Sequence, residues 1–257
     1  MKITILGCGP SAGVPHVGGK ISDNPKNNRL RASIHIEGKR SHLLIDTSPD
    51  LRQQALANNI TKIDAVLYTH AHADHLHGID DIKSFNYLKQ GQIDAFGDAK
   101  TMEEITSRFT YCFKPPKPEF GWFRPSLRAH NIEMLHEFEF GEFKILPFMQ
   151  NHGSVHSVGY RINNGGGILV YSTDVKTFPP ESHVALRNAD IWIIDCLRRE
   201  TAPTHSHLEQ TLEWIAEFKP KQAYLTHMGA HLDYNELLRE LPQNIQPCYD
   251  GMIVELK

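Results

Sequence analysis

The chain has 257 residues, 40% hydrophobic and 22% charged, with 27 Lys and Arg against 30 Asp and Glu for a net charge of −3. That length makes one large domain or two small ones, and it buries roughly 70–75% of the surface the unfolded chain exposes, so no disulfide staples are needed. The charge balance argues against a broad electrostatic footprint for nucleic acid, and the composition excludes disorder and coiled coil.

The apolar run in MKITILGCGP is too short for a signal peptide and predicts a first strand over 3–9. Strands over 32–38 and 42–48 follow. Pro49 and the helix formers behind it predict a helix over 49–59. Residues 65–71 form a fourth strand, rich in residues that suit burial, and 75–89 read as a helix. Residues 138–148, 157–162, 167–174, 189–197 and 222–228 read as later strands, with helices around 181–188, 207–219 and 235–241. No repeat or linker interrupts the order, so residues 1–257 are read as a single α/β domain. No apolar stretch approaches the ~20 residues of a membrane span. Cys8, Cys112, Cys196 and Cys248 lie far apart with no CxxC pair. That argues against a thiolate zinc site and places the chain in a reducing cytoplasm. The segment 111–125, YCFKPPKPEFGWFRP, is too rich in proline for a regular helix. It reads as a lid over a base and phosphate, as a homodimer contact, or as a covering loop.

The chain carries 16 histidines, and four candidate ligands crowd into THAHADH after the strand at 65–71. His70 and His72, two apart, point the same way in an extended segment. Asp74 and His75 follow as the chain turns into a helix and can face a second spot nearby. Imidazole with carboxylate suits Zn²⁺, Mn²⁺ or Fe. His152, Asp174 and His227 each sit at a strand end, where a single His or Asp is commonly a turn former or cap. Beside the cluster, the three complete two sites.

In that order, HAHADH, His152, Asp174 and His227 resemble the metallo-β-lactamase superfamily of metallohydrolases over nearly the whole chain. Asp46 in LLIDTS resembles its first motif, an Asp that supports the metal loop. The resemblance implies a four-layer αββα sandwich holding two divalent ions, Zn²⁺ or Mn²⁺. It implies His70, His72 and His152 on one ion, Asp74, His75 and His227 on the other, and Asp174 bridging. Such a pair, about 3.5–4 Å apart, implies attack by a metal-bridging hydroxide.

The opening LGCGPSAGVP (6–15) resembles that of a phosphodiesterase branch that includes the cyclic phosphodiesterase of phosphonate breakdown and is related to tRNA 3′-processing endonucleases. Its glycines would let backbone N–H groups and Ser11 face an anion, or simply form a turn. NPKNNRLRAS (24–33) resembles the stretch that follows in bacterial members. Residues 16–23 lack the cysteine those members often carry, so no extra structural zinc is expected. Arg29 and Arg31 can share one strand face and hold either a phosphate or a scaffold carboxylate. His205 or His207, in THSHLEQT, resembles a non-ligand His at a helix start that assists the leaving group. With Asp74, these two are the catalytic candidates. Ser11, Arg29, Arg31, His156 and His205 are the substrate-binding candidates. His231 and Asp233 are weaker supports, His77 a helix residue, and His16, His130 and His183 ordinary ones.

The reading is a two-metal phosphodiesterase for a small nucleotide-like or cyclic phosphate ester. Its rivals are a tRNA 3′-processing nuclease, a thioesterase or lactamase, and a non-hydrolytic nucleotide- or metabolite-binding protein. The nuclease would need a basic arm, which the sequence lacks, and extended nucleic acid and membrane are not expected partners.

Overall fold

The structure, a computed structural model, describes residues 1–114 and 127–256. The first half runs β1 (Lys2–Gly7), β2 (Ser33–Glu37), β3 (His42–Ile45), α1 (Leu51–Ala57), β4 (Ala65–Leu67), α2 (Ala73–Leu76), α3 (Ile82–Lys89), β5 (Ile93–Asp98), α4 (Ala99–Arg108), α5 (Thr110–Phe113) and β6 (Leu127–Ile132). The second runs β7 (Phe138–Phe140), β8 (Phe143–His152), β9 (Val155–Asn163), β10 (Ile168–Ser172), α6 (His183–Leu186), β11 (Ile191–Asp195), α7 (Leu208–Phe218), β12 (Gln222–Thr226), α8 (Tyr234–Glu240), β13 (Ile245–Pro247) and β14 (Ile253–Glu255).

Among the described residues these strands form two mixed sheets, in the orders β14-β1-β2-β3-β4-β5-β6 and β13-β12-β11-β10-β9-β8-β7. Strand alternation explains the layers. Leu43 and Ile45 of β3 and Ala65 and Leu67 of β4 join the large core that contains Phe148, Tyr160 and Ile162 of the other sheet. Their neighbours Leu44 and Val66 point the opposite way, into a second core with Leu51 of α1, Leu76 of α2 and Met102 of α4. Phe218 of α7 and Trp192 of β11 pack on the far face of the second sheet, ring centroids 5.9 Å apart. Helices thus cover both outer faces of a sheet pair, the α/β sandwich the sequence implies.

Several elements differ from the sequence reading. The helix expected over 75–89 is interrupted. Gly78 donates to the Thr47 carbonyl at 2.9 Å, and a Cβ there would run into the Ser48 carbonyl oxygen. The chain therefore restarts as α3 after a turn of 3-10 helix. Residues 138–148 form a hairpin, not one strand, turning at Gly141 with φ +59°. Strands β5, β6, β13 and β14 and helices α4 and α5 were not anticipated. The 111–125 segment begins in α5, and from residue 115 onward it lies outside the described residues. Among the described residues, no helix is long and apolar enough to cross a membrane.

Candidate metal centre

The sequence-predicted ligands all leave strand ends on one rim of the sandwich. β3, β4 and β5 run parallel, as do β10, β11 and β12. His70 and His72 follow β4, Asp74 and His75 begin α2, and His152 ends β8. Asp174 follows β10 and His227 follows β12. Asp46, Asp174 and His227 have φ of 63°, 54° and 58°. This is left-handed backbone that non-glycine residues adopt at a cost, and such strain gathers at functional sites.

The side chains converge in two groups able to hold a cation, His70, His72, His152 and Asp174, and Asp74, His75, Asp174 and His227, and a third such group, Asp195, His205 and His227, shares His227 with the second. Asp174 faces the first two. Its Oδ1 lies 3.5 Å from His152 Nε2 and 3.9 Å from His70 Nε2. Its Oδ2 lies 3.0 Å from His75 Nε2 and 3.3 Å from His227 Nε2. Asp74 Oδ2 lies 3.2 Å from His75 Nε2 and 3.7 Å from His227 Nε2. His72 is exposed, and the others are buried or nearly so, so the groups open to solvent on the His72 side.

The donor set fits divalent cations. The buried Nε2 atoms of His70, His75 and His227 have no hydrogen-bond partner, and an orphaned buried polar group is costly unless something binds it. Burial holds the His70 pKa well below its usual value, as a neutral ligand requires. Burial also disfavours a proton on His75, but Asp174, Asp74 and Asp46 around it outweigh that and pull positive charge there. Burial opposes ionisation of Asp174, yet His227 and His75 hold it well below the usual carboxylate range.

A supporting shell aims the ligands. His75 donates from Nδ1 to Asp46 Oδ2 at 2.7 Å, which turns Nε2 inward. Asp46 is fully buried and accepts from the Thr69 backbone and hydroxyl, both at 2.8 Å. His152 donates from Nδ1 to the Thr204 carbonyl at 2.8 Å. Asp195, which sequence reasoning missed, ends β11. It accepts from His205 Nδ1 at 2.9 Å and from the Val175 backbone at 3.0 Å. Its sequence signal, an Asp closing an apolar strand, is the same one that marked Asp174.

His205 stands beside the first two groups, its ring stacked on His227 at 4.8 Å and its Nε2 3.8 Å from Asp174 Oδ1. Burial lowers its pKa, but Asp195 and Asp174 overcome this and push it up to about 9. His207 belongs to none of these groups. It is the N-cap residue of α7, the helix-start position expected for it.

The substrate-binding candidates divide. Arg29 is 2% exposed and donates to the carbonyls of Gly229 at 3.0 Å and Leu232 at 2.6 Å. It clamps the loop that follows His227, a scaffold role made on backbone carbonyls in place of the carboxylate expected for that alternative. Arg31 pairs with Asp50 at 3.2 Å, the scaffold alternative. Ser11 is exposed in the turn after Gly9 and makes no hydrogen bond among the described residues. His156 lines a cleft of about 210 Å³ beside His70 and His72, and Asp98 holds its Nε2 at 2.9 Å. Asp233 caps α8, accepting from the backbones of Asn235 and Glu236. His77 is exposed and packs on Phe109.

Residues 41–228 match the model of the beta-lactamase superfamily domain. The chain belongs to the metallo-β-lactamase superfamily. Within it, the chain falls in the branch that holds the PhnP-family diphosphatase. A crystal structure of a diphosphatase from the PhnP family is 34% identical, with TM-score 0.88, covering 100% of this chain and 98% of that one. The short form of human tRNase Z, 15% identical with TM-score 0.73 over the whole of both chains, shares the fold. An octanoyltransferase of Porphyromonas gingivalis is 32% identical over 98% of this chain. The chain spans about half, 51%, of that relative's length.

Proposed function

We propose that the chain is a cytoplasmic, binuclear metal-dependent phosphodiesterase acting on a small nucleotide-like or cyclic phosphate ester. One observation carries this reading: Asp174 presents one oxygen to each of two histidine groups, with the His205 ring beside them. Two divalent ions, Zn²⁺ or Mn²⁺, would supply neutralising charge for a phosphoryl group and acidity for an attacking water. His70, His72 and His152 would hold one, Asp74, His75 and His227 the other, and Asp174 both. The chain's own residues do the rest. Asp195 fixes the His205 ring with its Nε2 beside Asp174, where it would pass a proton to the leaving oxygen. Asp46 and Thr204 keep the ligand rings from turning. The match to a PhnP-family diphosphatase over the whole chain supports phosphate-ester chemistry.

A second reading, hydrolysis of a carboxyl ester or thioester, is favoured by the relative named an octanoyltransferase. Against it, the cleft beside His70 and His72 is lined by Lys100, Glu104 and Arg108, which suit an anion and not an octanoyl chain. Metal-stripped protein reloaded with Mn²⁺ or Zn²⁺ and assayed on bis(p-nitrophenyl) phosphate and p-nitrophenyl octanoate separates the two. The proposal predicts metal-dependent turnover of the phosphate diester. Turnover of the octanoate alone reverses the assignment.

A further inference from the structure

The buried ligand histidines are not all supported alike. His75 has Nδ1 on Asp46 at 2.7 Å, His152 has Nδ1 on the Thr204 carbonyl at 2.8 Å, and His70 has Nδ1 3.0 Å from the Thr69 hydroxyl. His227, 1% exposed, has neither ring nitrogen in a hydrogen bond among the described residues. Its Nε2 faces Asp74 and Asp174 in the second group, but its Nδ1 is buried and left over. A ligating histidine ordinarily gives the proton on its other nitrogen to a carboxylate, a carbonyl or water. An orphaned buried polar group is costly.

One unused acceptor faces that nitrogen. Asp195 is fully buried, and its Oδ1 also lacks a hydrogen-bond partner. Oδ1 lies 3.8 Å from His227 Nδ1, beyond the roughly 2.7–3.2 Å of a hydrogen bond. The other oxygen, Oδ2, accepts from His205 Nδ1 and from the backbone of Val175, the residue after Asp174. The His205 and His227 rings are nearly parallel, 14° apart, with centroids 4.8 Å apart. Each spans from Asp195 at Nδ1 to Asp174 at Nε2. Two side-by-side rings that present Nδ1 to one carboxylate match its two oxygens, one for each. They fit a third cation poorly, because in-plane lone pairs of parallel rings run alongside each other and do not converge. A cation there would also displace the His205 hydrogen bond and make His227 bridge two ions.

We infer that Asp195 is a positioning residue for the second cation group as well as for His205: Oδ2 holds the His205 ring, and Oδ1 takes the Nδ1 proton of His227 when its Nε2 is on a cation. Asp195 then does for His227 what Asp46 does for His75. A single carboxylate ties a ligand ring to the ring that assists the leaving group. This rests on the two-cation reading and adds to it a residue that sits behind both rings.

The test is a Zn²⁺ titration of the metal-stripped full chain against a competing chelator, which separates the affinities. Wild type should bind two equivalents. Asp195→Asn keeps the side-chain size but turns an N–H toward one of the two rings. It should weaken one Zn²⁺ affinity roughly 10–100-fold and leave the other within about threefold. His205→Ala should leave both within about threefold. In Zn²⁺-loaded wild type, nuclear magnetic resonance of isotope-labelled histidine should place the His227 Nδ1 proton downfield with that of His75, as a proton held by a carboxylate is. That second measurement stands even if Asp195→Asn does not fold. Unchanged affinities in a folded Asp195→Asn overturn the shared carboxylate, and so does a His227 Nδ1 proton upfield of that position. An equal loss in His205→Ala overturns it by placing the effect on His205. A third equivalent in wild type that His205→Ala removes would make Asp195, His205 and His227 a cation site instead. Two equivalents with unchanged affinities in Asp195→Asn leave the two-cation reading standing. Fewer than two in wild type remove both.

Discussion

Asp174 is the residue that joins the two metal groups, because its two oxygens face different histidines. Asp174→Ala should reduce bound metal from two per chain to below one and cut kcat/KM by more than roughly 100-fold, beyond the 10–100-fold expected for an outer partner. Asp46 is such a partner. Asp46→Ala should weaken metal affinity by roughly 10–100-fold, seen as a shifted Zn²⁺ titration, with the fold retained by circular dichroism. His205→Ala tests a different role: kcat should drop roughly 10²–10⁴-fold with both metals still bound. Loss of metal in that variant would make His205 a ligand. These residues were legible because HAHADH packs four donors into six positions, a density a surface loop has no reason to keep. The position of Asp195 at a strand end was legible, but its role was not, because that role comes from His205, ten residues away and brought back by the turn into α7. The role of Arg29 stayed open because an arginine near a glycine-rich loop looks the same in sequence whether its fork meets a phosphate or two backbone carbonyls.

At the scale of elements, the loops that carry the ligands depend on clamps made by other segments. Arg29 holds Gly229 and Leu232, and Asn27 accepts from the Tyr234 backbone at 2.8 Å. The stretch at 24–33 therefore pins the chain just past His227. Arg29→Met would leave two carbonyls without their donors. It should cost about 3 kcal/mol, read as a lower urea midpoint at unchanged slope. A variant as stable as wild type would mean water replaces the clamp. The elements of the second half were mostly legible, since β10, β11 and β12 are apolar runs buried on both faces. β6 was not, because it shows one buried residue, Leu127, in six. α4 carried a usable signal that went unread: Asp98 as N-cap, with Met102 and Ile105 three apart on the buried face. That omission hid one wall of the cleft beside His70 and His72.

For the whole molecule, the pairing of two sheets puts six strand ends on one rim, and that sets the site. The same burial makes stability depend on pH. His35, buried in β2, has its pKa lowered to about 4, first by burial and then by His42 beside it. The unfolded chain takes up that proton near pH 6.5, so the native state loses stability as pH falls from 6.5 towards 4, by up to about 3 kcal/mol. Urea unfolding at pH 7 and pH 5 should show the drop, and His35→Gln, which cannot titrate, should show less of it. The most direct measurement is a Zn²⁺ titration of metal-stripped protein, following bound metal and bis(p-nitrophenyl) phosphate turnover together. The account predicts two equivalents bound per chain and diester turnover that appears with them. Binding of a single equivalent, or two equivalents bound with no diester turnover, would contradict it.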